Sequence, residues 1–156
     1  ILFNTLETHR SVAEAIQDMC KRNLGIDARL LNQEWKVYLD SEKTGNYQVA
    51  RYGWIGDYPD PNSFLDMWLT GGGNNDSRWS NAEYDRLVHE AGRTADLQKR
   101  LEIFQQAEAI LLDELPIIPV YFYTRVYALH PSVQGWYPTI LDNHPYQHLW
   151  LDPTKG

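Results

Sequence analysis

The sequence predicts an α/β layer, with helices packed on a sheet that is at least partly parallel, followed by an extended C-terminal tail. Three observations carry this. Strand-like and helix-like segments alternate from Ile1 to Trp54, which is the pattern of strands joined by crossover helices. Two strongly periodic helical stretches lie between Asn81 and Leu112. Beyond His130 the periodicity fades, and Pro, His, Trp and Tyr dominate.

Ile1-Leu2-Phe3-Asn4-Thr5 reads as a short strand from the opening position, with no leader before it, so the chain reads as cut from something longer. Thr8 then precedes Val12, Ala13, Ala15, Ile16, Met19 and Cys20, apolar residues at the three-and-four spacing of an amphipathic helix that Asn23 and Gly25 close. Residues 26–31 alternate as a second strand. A short helix near 34–43 ends at Gly45, and 47–54 is the third strand. Pro59 and Pro61 then fix φ and remove backbone donors, so the chain turns out of the sheet. A short helix is expected around 63–69. Gly71-Gly72-Gly73-Asn74-Asn75-Asp76 is a mobile or tightly folded loop, too short and isolated for a phosphate cradle. Asn81 caps a helix over 82–92. A longer one over 97–112 carries Leu101, Phe104, Ala107, Ile110 and Leu111 on one face and ends before Pro116. Ile117 to Tyr123 is expected as a buried strand, placed near a sheet edge by Pro119. The tail from His130 is expected to wrap over a neighbouring surface.

Composition excludes several classes of partner. With 21 acidic against 14 basic residues the net charge is −7, and no Lys/Arg-rich stretch exists to neutralise a phosphate backbone, so nucleic acid is not a partner. No apolar run approaches the roughly 20 residues that cross a bilayer, and mean hydropathy is −0.52. The single Cys20 cannot form an internal disulfide and fits a buried thiol. Aromatic residues make up 13% of the chain, which points to a large core or to a surface that handles organic ligands.

Catalytic and metal motifs do not occur: there is no GxSxG, HExxH, P-loop or CxxC. His144 and His148 stand at helical spacing, but Pro145 between them argues against a metal-binding helix. Neither a metal nor a cofactor is expected. Asp57 and Asp60 could pose as a carboxylate pair; Asp60 is read as a turn residue stabilising the proline-rich loop.

Three segments together resemble the periplasmic oligopeptide-binding proteins of peptide ABC importers, which are extracytoplasmic solute-binding proteins of family 5. They are Asn32-Gln33-Glu34-Trp35-Lys36, Ala50-Arg51-Tyr52-Gly53-Trp54-Ile55-Gly56-Asp57-Tyr58 and Pro119-Val120-Tyr121-Phe122-Tyr123. The similarity runs from Ile1 to about Tyr127 and is looser after His130. It implies part of a periplasmic-binding-protein-like lobe, a mixed sheet flanked by helices. Residues 1–129 would be the later half of the second lobe, and residues 130–156 a terminal segment returning to the first.

What the resemblance implies for single residues follows the chemistry common to all peptides. Asp57 matches the aspartate that holds the ligand ammonium, to which a carboxylate in a water-poor cleft bonds strongly. The backbone of Tyr52-Gly53-Trp54-Ile55 would pair with the extended ligand, Gly53 allowing close approach. Trp54 and Trp35 would wall roomy side-chain pockets. Arg51 and His9 match positions that meet the ligand carboxylate, and Tyr123 and Asn74 match positions lining the cleft. Glu42 stands where some family members have a basic residue, and Ile55 where some have cysteine.

The resulting expectation is a binding protein without catalytic machinery, located in the periplasm, that presents short peptides to membrane permease subunits. Other solutes of the same fold (a cell-wall peptide, a nickel complex, heme) stay open, as does a carbohydrate-active enzyme using Asp57 with Glu34 or Asp60, or an interaction domain with a flat aromatic face. The isolated fragment is expected to self-associate through surfaces lacking their natural cover.

Overall fold

The computed structural model describes residues 1–155, which divide into two compact units: Ile1–Trp54 with Met67–Ala82, and Ile55–Asp66 with the chain from Glu83 onward. In the first unit β1 (Leu2–Asn4) is the central strand. It pairs in parallel with β2 (Leu31–Gln33), Phe3 opposite Asn32. On its other side the Leu2 N–H donates to the Val49 carbonyl (2.7 Å) and the Arg51 N–H donates to the Leu2 carbonyl (2.8 Å), a parallel bridge at Ala50. Parallel neighbours need crossovers, and two helices supply them: α1 (Glu7–Leu24) between β1 and β2, and α2 (Trp35–Thr44) between β2 and the bridge. Leu2, Phe3, Ala13 and Tyr38 are buried around that strand.

Both crossovers are stopped by glycine. Gly45, at φ +74°, closes α2 with the paired bonds of a Schellman end, its N–H to the Glu42 carbonyl and the Asn46 N–H to that of Ser41. The Arg78 guanidinium also donates to the Thr44 carbonyl (2.7 Å), a cation at the negative end of the helix. The glycine loop is tightly folded: buried Asn75 donates to the carbonyls of Trp68, Leu69 and Trp79 and accepts from the Ser77 hydroxyl.

In the second unit α3 (Asn62–Leu65) leads into a 3-10 turn, and α4 (Ala82–Arg93) and α5 (Leu97–Glu114) supply the core. Tyr84, Leu87, Val88 and Ala91 of α4 are buried, as are Ile103, Phe104, Ala107 and Leu111 of α5, spacings that put one face of each helix inward. The Asp96 side chain caps α5 by accepting from the Lys99 N–H, and the buried Tyr84 hydroxyl donates to the Leu65 carbonyl (2.6 Å).

Five expectations are corrected. The second strand begins at Leu31, not Ile26, and the third shrinks to a single bridge. The first helix begins at Glu7 behind Leu6, so Thr8 lies inside it. The parallel pairing and the antiparallel pair β3 (Val133–Gln134) with β4 (Trp150–Leu151) form two separate sheets, not one mixed sheet. Finally, Ile117 to Tyr123 is neither a strand nor buried: Phe122 is 97% and nearby Val126 95% exposed. A strand is made by its neighbour's hydrogen bonds, and among the described residues no strand lies beside this segment.

Candidate functional site

Within the first unit the bridge to β1 sets the Arg51 end of its segment against α1 and α2. The Arg51 carbonyl lies against the Tyr38 hydroxyl, which donates to Glu42 Oε1 (2.5 Å). Tyr38 and Glu42 stand four apart on α2, so both reach the same side of the helix. Glu42 is only 3% exposed; burial pushes its carboxyl up, the charge of Asp76 adds to this, and the Tyr38 bond and Arg51 oppose it. His9 reaches the same region from α1. Its Nδ1 faces Asn4 Oδ1 at 2.9 Å, and burial, then the Arg51 charge, push its pKa below 6.5. His9 and Arg51 are thus brought together. Burial, followed by the charges of Asp76 and Glu42, lifts Tyr52 to about 12, and its ring meets Trp68 edge-on at 6.0 Å.

Trp35 opens α2 half exposed and stacks on Tyr38 with ring centroids 5.6 Å apart. Gly53 is exposed, Trp54 half-buried and Asn74 exposed on the glycine loop.

In the second unit the proline-rich loop carries Asp57. Its N–H donates to the buried Ser63 hydroxyl (2.7 Å) at the start of α3. Gly56 leaves room there for the Phe64 ring: a Cβ would stand 2.9 Å from the ring's tip, which would have to shift, and 3.4 Å from Ser63 Oγ. The loop's far end is held by Asp60, whose carboxylate accepts two bonds from Arg100 of α5 (2.6 and 2.7 Å) and one from the Asn62 N–H; the Arg100 bonds hold its pKa below 3.8. The turn role expected of Asp60 is therefore joined by an ion pair. The exposed Asp57 carboxylate makes no hydrogen bond or ion pair among the described residues, and its charge, after burial, helps push nearby Asp66 up. Ile55 is exposed, and Tyr123 meets Tyr121 edge-on at 5.0 Å.

Of the expected site residues, His9, Trp35, Arg51, Gly53, Trp54 and Asn74 stand in the first unit, and Ile55, Asp57 and Tyr123 in the second. Sequence reasoning missed Tyr38, Ser63, Asp66 and Asp76. The i,i+4 spacing of Tyr38 and Glu42 was the one readable signal. Two carboxylates offered for glycoside chemistry are engaged elsewhere: Glu34 caps α2 by accepting from the Lys36 N–H, and Asp60 is held by Arg100. Among the described residues no group of three or more His, Cys, Asp or Glu is placed to hold a metal ion, and no helix is long and apolar enough to cross a membrane. His144 instead lies 2.9 Å from Asp142 and stacks on Trp136.

Comparison with known proteins gives one consistent family. Residues 1–76 match the profile of the bacterial extracellular solute-binding proteins, family 5 Middle. The chain is 41% identical over 134 residues to the oligopeptide-binding protein OppA of Bacillus subtilis, covering 85% of this chain and 25% of that one. It is 38% identical over 155 residues to the dipeptide-binding protein DppE of the same organism, covering 97% and 28%. Among solved structures, Haemophilus influenzae OppA in complex with RPPGFSPFR superposes with a TM-score of 0.87 at 35% identity, over 96% of this chain and 30% of that one. The chain therefore spans about a quarter of the length of these curated relatives.

Proposed function

The chain belongs to the family 5 bacterial extracellular solute-binding proteins, and on that premise we propose that it is part of a periplasmic component that binds short peptides in extended form for an ABC importer. In this reading residues 1–129 form the later half of the second lobe, and residues 130–156 the segment that returns to the first. The partners are short peptides and the membrane permease subunits.

One observation carries the reading: a carboxylate at Asp57 with no hydrogen-bond or ion-pair partner among the described residues, on a loop clamped at both ends by Ser63 and Arg100. A fixed and unpaired carboxylate is ready to accept from a ligand ammonium, and Asp66 beside it adds negative potential. Affinity that does not depend on side chains comes from the groups all peptides share, so the backbone from Tyr52 to Ile55 takes the role of a sheet margin, with Gly53 permitting close approach. Arg51 and His9 are assigned to the ligand carboxylate, Trp35 and Trp54 to the pocket walls, and Asn74 and Tyr123 to the lining.

The test is Asp57→Asn in the full-length protein, titrated calorimetrically with peptides carrying free or acetylated N-termini. A hydrogen bond to a charged group contributes about 1.5–3 kcal/mol, so the variant should bind free-amine peptides roughly 10- to 150-fold more weakly. Acetylated peptides should bind both forms equally. Unchanged affinity for free-amine peptides refutes the assignment.

A further inference from the structure

Arg51 is held at two points. Its N–H donates to the Leu2 carbonyl (2.8 Å) at the parallel bridge, which fixes the backbone from which the side chain departs. Its side chain meets the phenol of Tyr38 in a hydrogen bond. A guanidinium only donates, so the Tyr38 oxygen is the acceptor there and the phenol proton is left for another partner. That partner is Glu42, whose Oε1 accepts from the Tyr38 hydroxyl at 2.5 Å. Guanidinium, phenol and carboxylate thus form one chain in which each donor has an acceptor.

The inner two members of that chain are rigid. Tyr38 is 1% and Glu42 3% exposed, and both rise from α2 at four-residue spacing. The Tyr38 ring is also stacked on Trp35, so the phenol has one direction open to it. A carboxylate buried to this degree is costly without a cation. Arg51 is the cation that acts on Glu42, and Asp76, the other charge that acts on it, has the same sign and deepens the need. The guanidinium is thereby drawn to the Tyr38 side, close enough to His9 for its charge to be felt there.

We propose that Tyr38 and Glu42 are positioning residues for Arg51: the buried carboxylate orients the phenol, and the phenol orients the guanidinium that receives the ligand carboxylate. The proposal rests on the assignment of Arg51 to that carboxylate. A guanidinium has five N–H donors, so a bond to Tyr38 does not compete with a two-point grip on a ligand. A free arginine side chain gives up much rotamer freedom when it grips an anion; here that freedom is already surrendered on folding, and the ligand meets a prepared fork. Neither Tyr38 nor Glu42 touches the ligand in this scheme, and their effect on binding passes through Arg51.

The test is titration calorimetry of the full-length protein with alanine di-, tri- and tetrapeptides and with their C-terminal amides, all carrying free N-termini. Wild type should favour the carboxylate over the amide at one or more of these lengths, and Arg51→Gln should remove that preference. Tyr38→Phe keeps the ring and should shrink the preference by about 2- to 13-fold, the worth of one net hydrogen bond, by weakening the carboxylate peptide and leaving the amide unmoved. Glu42→Leu, which takes away the acceptor of the phenol, should act the same way, so either variant decides the matter if the other fails to fold. Glu42→Gln, whose amide oxygen still accepts from Tyr38, should lose less than Glu42→Leu. Equal weakening of carboxylate and amide peptides in Tyr38→Phe and Glu42→Leu makes the two residues merely structural and overturns the proposal. A preference lost in Arg51→Gln but intact in both of those variants overturns the positioning alone and leaves Arg51 on the ligand carboxylate. A wild type without preference, or an Arg51→Gln that keeps it, removes the assignment of Arg51 and the positioning with it.

Discussion

Breaking the ion pair between Asp60 and Arg100 should loosen the loop that carries Asp57. The perturbations are Asp60→Asn, Arg100→Gln and the double variant. Fully exposed pairs couple by ~0.2–1 kcal/mol. Here the side chains are 27% and 20% exposed, and two parallel bonds at 2.6 and 2.7 Å lock the fork in one geometry. Arg100 is further held over the Phe104 ring at 4.7 Å. A coupling of about 1–2 kcal/mol follows, which is about 5- to 30-fold in a local opening equilibrium. The assay is amide hydrogen exchange of the Asp57 and Asn62 N–H groups, both hydrogen-bonded within this loop. Each single variant should exchange about 5- to 30-fold faster, and the double variant little faster than either single. The pH dependence has a definite sign. The Asp60 pKa is held below 3.8 in the folded protein, so the stabilisation is complete above that value and is lost as pH falls through the lower folded value. Acid should therefore erase the difference between wild type and Asp60→Asn. Strictly additive single effects, or a difference that persists in acid, would mean that the Asp60–Arg100 pair does not clamp the loop.

Two further outcomes follow from burial. Asn75→Ala strands three carbonyls around a buried site and should lower stability by about 2–3 kcal/mol, read as a shift in the urea midpoint; a change under ~0.5 kcal/mol would mean that water replaces the amide. The isolated chain, with Ile118, Phe122 and Val126 exposed, should self-associate in light scattering as concentration rises, and Phe122→Ser should reduce this; a strictly monomeric chain that binds peptide tightly would refute the expectation.

What was legible in the sequence was local. The glycine at Gly45, the periodic faces of the helices over 82–92 and 97–112, and the prolines before Asn62 each act through the nearest residues, and each stands close to where the pattern put it. Strands fared worse, because a strand is defined by its partner. Nothing in 26–31 reveals that pairing starts only at Leu31, and nothing in 117–123 shows whether a neighbour exists. The same division holds for the candidate site. That Asp57 lies on a loop was readable from the prolines around it. The fork from Arg100 was not, because the two residues stand 40 positions apart with no spacing rule between them. Tyr38 looked like one more aromatic on a helix, and only its placement between the Arg51 side chain and Glu42 gives it a role.

That separation of 40 positions has a consequence for how the protein is made. The loop bearing Asp57 leaves the ribosome before its clamp exists, and at about 5–20 residues per second it waits on the order of 2–8 s for Arg100 to emerge. The parallel core of the first unit draws only on residues up to Ala82 and is complete in sequence before then. The nascent chain thus holds every residue of its scaffold before the fork that fastens the proline-rich turn has been made.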